Sequence, residues 1–133
     1  MGQSTDAILV YGFDLGEDWA EDGLENMIPD DIIEKIQRME GFYDLHEGIT
    51  DYLKANGVEH GVEIINHCSC DYSMKLLGIE VSRAWRGDVR HLDLVELEHR
   101  RRDEVWDEHV QLAANLLGIP EKDAGWLLVS MWC

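Results

Sequence analysis

The sequence predicts an α+β fold, a two-layer α/β sandwich in which a mixed sheet of about four strands carries helices on one face. Three observations predict it. β-rich apolar runs open and close the chain, amphipathic stretches of helical period lie between them, and two strands joined by a short turn occupy the middle. The resulting order is β-α-α-β-β-α-β. At 133 residues, with no internal repeat, low-complexity tract or linker, residues 1–133 are expected to form a single globular domain.

The first run, "AILVYGFDLG" (7–16), is rich in β-formers and closed by glycine, so it reads as a first, central strand. An acidic loop around Trp19 follows. In "IPDDIIEKIQRMEG", Pro29 stands at the first helical position, Asp30 and Asp31 lie in the first turn, and Ile32, Ile33, Ile36 and Met39 form an apolar stripe that ends at Gly41. Asp44 and Glu47 have capping-box spacing at the head of a second helix lined by Leu45, Ile49, Tyr52 and Leu53, and Asn56-Gly57 stops it. "GVEIINHC" and "KLLGIEVS" then form a hairpin, with Asp71 and Ser73 suited to the turn and Tyr72 covering it. The capping spacing recurs at Asp93 and Glu96, and Val105, His109, Leu112, Ala113 and Leu116 mark one long helix running to Gly118. "GWLLVSMW" (125–132) is the last strand.

Charge is the most unusual bulk property. Twenty-eight acidic residues against 11 basic give a net charge of −17, which repels phosphate backbones and anionic membranes. Direct nucleic-acid binding and a membrane partner are therefore not expected. Residues 1–66 hold 16 acids and three bases, whereas residues 67–133 hold 12 acids and eight bases, so one part of the molecule should be far more negative than the other. Solubility is the plain reading of that asymmetry, and a surface built to meet a basic partner is the functional one. No apolar run reaches membrane-spanning length, the N-terminus has no signal-peptide pattern, and an odd number of cysteines argues for a reducing compartment, so a cytoplasmic location is expected.

The segment His67-Cys68-Ser69-Cys70 is the one stretch with metal-ligand chemistry. On an extended strand Cys68 and Cys70 share a face, although a C-x-C pair chelates less well than the C-x-x-C turn of structural zinc sites. The further donors are His46, His60, His91, His99, His109 and Cys133, and none forms a recognisable second pair. Semi-buried structural cysteines are the plain alternative, with zinc as the cofactor if the segment does bind metal. Asp14 and Glu17, at the end of the first strand, join His67 in a further metal-dependent arrangement. Arg83, Arg86 and Arg90 around Trp85 have the composition of a phosphate or base grip, and equally of cations that neutralise neighbouring carboxylates. The phosphate loop, nucleophile elbow, H-E-x-x-H and dinucleotide motifs are all missing, and an enzyme is the less expected reading.

The stretches "ILVYGFDLG", "HCSCDYSM", "RAWRG" and "GWLLVSMW" resemble a group of small, functionally uncharacterised proteins of tailed bacteriophages and prophages. The resemblance brings no activity and no site residues. It implies context: a phage gene product without a leader sequence, acting in the cytoplasm of a bacterial host. In that context the acidity reads as a device for occupying the basic channel of a host nucleic-acid-binding protein, because clustered carboxylates imitate backbone phosphates. The expectation is an anti-defence or anti-CRISPR-like DNA mimic acting through Asp18, Glu21, Asp22, Glu25, Asp30 and Asp31. The alternative is a metal-binding protein or small metal-dependent enzyme using His67, Cys68 and Cys70. Exposed Trp19 or Trp85 would offer a route to a homodimer.

Overall fold

The structure, a computed structural model, describes residues 5–16, 23–120 and 122–132. Its strands are β1 (Thr5–Asp14), β2 (Val62–Ser69), β3 (Ser73–Trp85) and β4 (Gly125–Trp132), and its helices are α1 (Leu24–Met27), α2 (Asp30–Gln37), α3 (Leu45–Ala55), α4 (Leu94–Asp103) and α5 (Trp106–Leu117). The expected α+β architecture is present, with a mixed four-stranded sheet and the helices on one face.

β1 is central, antiparallel to β3 on one side and to β4 on the other, and β2 lies beyond β3 as its hairpin partner. The sheet also curls far enough for its outer strands to meet. β2 and β4 pair in parallel at Cys68↔Met131 and Ser69↔Trp132, closing the order β1-β3-β2-β4 into a small barrel. Side chains alternate accordingly. Ile8, Val10, Ile65 and Leu76 fill the inside with Leu127, Val129 and Met131, whereas Tyr11, Phe13, Val62, Ile64, Leu77 and Ile79 face outward into the larger core shared with the helices.

Two local devices produce the curl. The β1–β3 register slips between Leu9, opposite Ser82, and Val10, opposite Glu80, so Val81 is an extra residue whose bulge increases the local twist. Gly12 and Gly78 then face each other directly. A Cβ added to Gly12 would lie 2.1 Å from the Leu77 carbonyl oxygen, and one on Gly78 would lie 2.4 Å from that of Tyr11. No side chain fits there, and the two backbones pass at a distance only glycine permits.

The helices follow the local signals, with two differences. Asp44 and Asp93 cap α3 and α4, their carboxylates accepting the amides of Glu47 at 2.8 Å and Glu96 at 3.1 Å. Ile33 and Ile36 of α2 and Ile49 and Leu53 of α3 are buried. Pro29 stands at the N-cap of α2, one place before the expected first helical position, because its ψ of 142° is extended and the helical backbone starts at Asp30. The long helix expected from Asp93 to Gly118 is two. Val105 adopts the left-handed conformation (φ 48°, ψ 50°) and breaks it. The turn frees α4, which buries no residue, to run along the surface, while Trp106, only 1 % exposed, drops into the core at the head of α5.

Replacing Gly12 with Ala should therefore destabilise the protein by about 3 kcal/mol or more, since the strands must separate to admit the methyl group. Gly125→Ala, at a strand position where an added Cβ meets nothing within 4 Å, should stay within about 0.5 kcal/mol of the parent. Urea denaturation of both variants measures the difference.

Candidate functional site

The charge asymmetry of the sequence becomes an asymmetry of surfaces. Glu25 on α1, Asp30, Asp31 and Glu34 on α2, and Glu47 and Asp51 on α3 are all exposed. Among the described residues of these helices the recorded ion pair is Glu34 with Arg38, at 3.9 Å and largely in solvent, a geometry that holds neither side chain firmly. Of the acids expected to form a partner surface, Glu25, Asp30 and Asp31 thus stand on neighbouring helices, and Asp18, Glu21 and Asp22 lie outside the described residues.

The acids of the later half are used differently. Arg83 reaches Asp6 at 2.9 Å and Glu80 at 2.6 Å, Arg90 meets Asp88 at 3.5 Å, and Arg101 bridges Glu98 at 2.8 Å and Asp107 at 2.7 Å. Of the arginines flanking Trp85, Arg83 and Arg90 therefore hold carboxylates of the fold. The Arg101 cluster extends inward: the buried Tyr11 hydroxyl donates to Asp107, and Trp126 Nε1 donates to Glu98. Burial, reinforced by Asp107, pushes the Tyr11 phenol up to about 12. Hydrogen bonds from Arg101 and Trp126 hold Glu98 down at about 2. This network ties α4 and α5 to the sheet.

His67, Cys68 and Cys70 do not make the arrangement that a straight strand suggests. Cys68 has φ 78°, so β2 bends there and ends at Ser69, leaving Cys70 in the turn with its amide bonded to the Trp132 carbonyl. Cys70 is disulfide-bonded and Cys68 is a free thiol. A disulfide sulfur is not the thiolate that zinc requires, which removes Cys70 from the expected ligand set in this state. Nor does an oxidised cysteine support the expected reducing compartment. His67 buries Nε2 without a hydrogen-bond partner, and burial lowers its basicity against the opposing pull of Asp14. Glu17, the other carboxylate expected beside His67, lies outside the described residues.

Two other surface features stand out. Leu94 and Val95 of α4 are exposed, as is Leu128 of β4, and Leu9, Leu94, Leu97, Glu98 and Trp126 line a mostly apolar hollow between them. Trp85 is also exposed.

The second feature is a cluster that sequence spacing does not show. His60, in the turn between α3 and β2, has φ 65° and a side chain 26 % exposed. Its Nδ1 lies 3.2 Å from Glu104 Oε1 and its Nε2 lies 3.8 Å from Glu59 Oε2. His109, from the first turn of α5, stacks edge-on against His60 with ring centroids 5.0 Å apart and accepts the Glu59 amide at Nδ1 over 3.1 Å. Glu104 is anchored by the indole N–H of Trp106 at 2.9 Å. One ligand atom from each of Glu59, His60 and His109 lies within 4.8 Å of the others, and among the described residues this is the one such group of His, Cys, Asp or Glu. The sequence signal was weak: both histidines are visible as donors, but nothing pairs residues almost 50 positions apart.

The fold and these surfaces define a small α+β protein with an acidic helical layer, and no helix among its described residues is long and apolar enough to cross a membrane. Comparison with protein-family models, curated sequences and solved structures gave no match.

Two outcomes follow from this geometry. Stability should fall as pH rises from 10 to 12, because in that window the unfolded chain ionises Tyr11 and the folded chain does not. Tyr11→Phe should remove that component, while costing about 1 kcal/mol below pH 10 through the lost hydrogen bond; denaturation midpoints of the two proteins across the range give the comparison. Alkylation under denaturing, non-reducing conditions, followed by peptide mass spectrometry, should label Cys68 and leave Cys70 unlabelled until dithiothreitol is added.

Proposed function

We propose that this chain is an interaction protein whose α1–α3 layer docks on a basic, nucleic-acid-binding surface of a host protein and blocks it, as a DNA-mimic or anti-defence inhibitor of phage type does. The carrying observation is the segregation of ion pairs. Arginines hold Asp6, Glu80, Asp88, Glu98, Glu104 and Asp107 around β3, α4 and α5, whereas Glu25, Asp30, Asp31, Glu47 and Asp51 face solvent on α1–α3, where the lysines and arginines are Lys35, Lys54 and, at the C-cap of α2, Arg38. On a helix, carboxylates three or four residues apart stand about 5–6 Å apart at Cβ, a spacing on the scale of successive phosphates along one strand. The layer repels nucleic acid itself and attracts what binds nucleic acid. The exposed apolar residues of α4 and β4 supply a second surface of the kind that marks protein contacts.

The test is displacement of a short fluorescent DNA duplex from a panel of purified bacterial DNA-binding proteins. The parent should release the duplex from at least one of them, more weakly as salt rises. The variant with Glu25, Asp30, Asp31 and Glu34 all changed to Lys should be at least tenfold less effective, mainly through slower association. Asp30 and Asp31 also complement the helix dipole of α2, so the same sites changed to Asn, with circular dichroism as a check on folding, separate lost contact from lost helix. Equal displacement by parent and reversed protein would overturn the reading.

A further inference from the structure

We propose that Glu59, His60 and His109 form a binding site for a divalent transition-metal ion of the zinc, cobalt or nickel kind. The inference is independent of the acidic layer. Two imidazoles and one carboxylate are the donor set that these borderline ions prefer over magnesium or calcium, which take oxygen ligands. The three ligand atoms already lie within 4.8 Å of one another. An ion with bonds of about 2.0–2.2 Å draws tetrahedral ligands to roughly 3.3 Å apart, a contraction within reach of the exposed Glu59 side chain.

The surroundings orient the set. Glu104 stands 3.2 Å from His60 Nδ1 and is fixed by Trp106, and His60 Nε2 lies 3.8 Å from Glu59, so an ion bound at Nε2 would leave the Nδ1 proton on the side of Glu104. A carboxylate behind a ligating histidine is the usual arrangement at zinc. His109 directs the lone pair of Nδ1 at the Glu59–His60 segment, where the Glu59 amide occupies it. A cation bound at that lone pair replaces one backbone hydrogen bond. His60 keeps a left-handed backbone that only glycine adopts freely, and such conformations persist where the surrounding structure enforces them, commonly at ligand sites. A polar cavity of about 260 Å³, lined in part by His60, Glu80, Arg100 and Glu104, adjoins the cluster on the side of Glu104.

The full chain, stripped of metal, is titrated with Co²⁺ followed by visible absorbance and with Zn²⁺ by calorimetry. One ion per chain is expected, with cobalt bands free of thiolate charge transfer and a displaced Glu59 amide resonance. His60→Asn, which tolerates the positive φ, and His109→Gln should each weaken binding at least tenfold, and Glu104→Gln, which touches the ion only by way of His60 and keeps an acceptor for Trp106, by about tenfold. Circular dichroism without metal confirms that the variants fold; if a histidine variant does not, Glu59→Gln at an exposed position carries the test with the same tenfold expectation. Absence of stoichiometric binding by the parent, affinity unchanged in the folded variants, or a thiolate band placing the ion at Cys68 would each overturn the proposal.

Discussion

The close passage of β1 and β3 at Gly12 and Gly78 is the constraint on which the rest of the molecule depends. Four strands are few for closure, and a sheet of this size turns back on itself only where two backbones approach without intervening side chains and a bulge adds twist. The curl does two things at once. It gives the even-numbered side chains of β1 a small interior lined by strands alone, and it leaves the odd-numbered ones, Tyr11 and Phe13, on a convex face that only helices can cover. All five described helices consequently lie outside the sheet, and their outward surfaces form much of what a partner would meet.

That arrangement explains why the two halves of the chain handle charge differently. Helices α4 and α5 flank the open edge of the outward core around Tyr11 and Trp126, where carboxylates and guanidinium groups are partly removed from water and must be matched. Hence Glu98 and Asp107 share Arg101, and between β1 and β3 the buried Asp6 shares Arg83 with Glu80. Helices α2 and α3 bury only apolar side chains and Gly48, so their exposed carboxylates have no buried cation to match and stay hydrated. A surplus of like charge adds self-repulsion to the folded state, which is a reason to look for its use in recognition.

What was legible in the sequence was local. The aspartate caps at Asp44 and Asp93 act through amides three residues away, the α2 and α3 stripes depend on helical period alone, and the hairpin needs only two β-rich runs and a polar turn, so each could be read from its own segment. The exposure of Glu25, Asp30 and Asp31 was legible to the same extent, because a polar residue opposite an apolar stripe has nowhere else to go. The rest depends on distant contacts. Nothing near Cys68 announces its positive φ, which arises where β2 bends to meet β4, a strand that starts more than 50 residues later. The break at Val105 was hidden because the helical period continues through it.

That break also accounts for the histidine cluster. A β-branched residue in the left-handed region costs roughly 1–3 kcal/mol, and the chain accepts it because the turn lets Trp106 enter the core, a burial whose loss on truncation to Ala costs about 3–5 kcal/mol in general. Once Trp106 is fixed, its indole N–H holds Glu104, and the first turn of α5 brings His109 to the amide of Glu59. His60, itself left-handed, closes the group from the other side. Two strained residues from separate segments thus border one polar cluster, and a continuous helix from Asp93 to Gly118 would have no such turn to place Glu104, Trp106 and His109 together. The same step that buries an aromatic side chain assembles the donors, so the strain at Val105 is explained by packing, and the donor set is what that packing leaves at the surface for an ion to use.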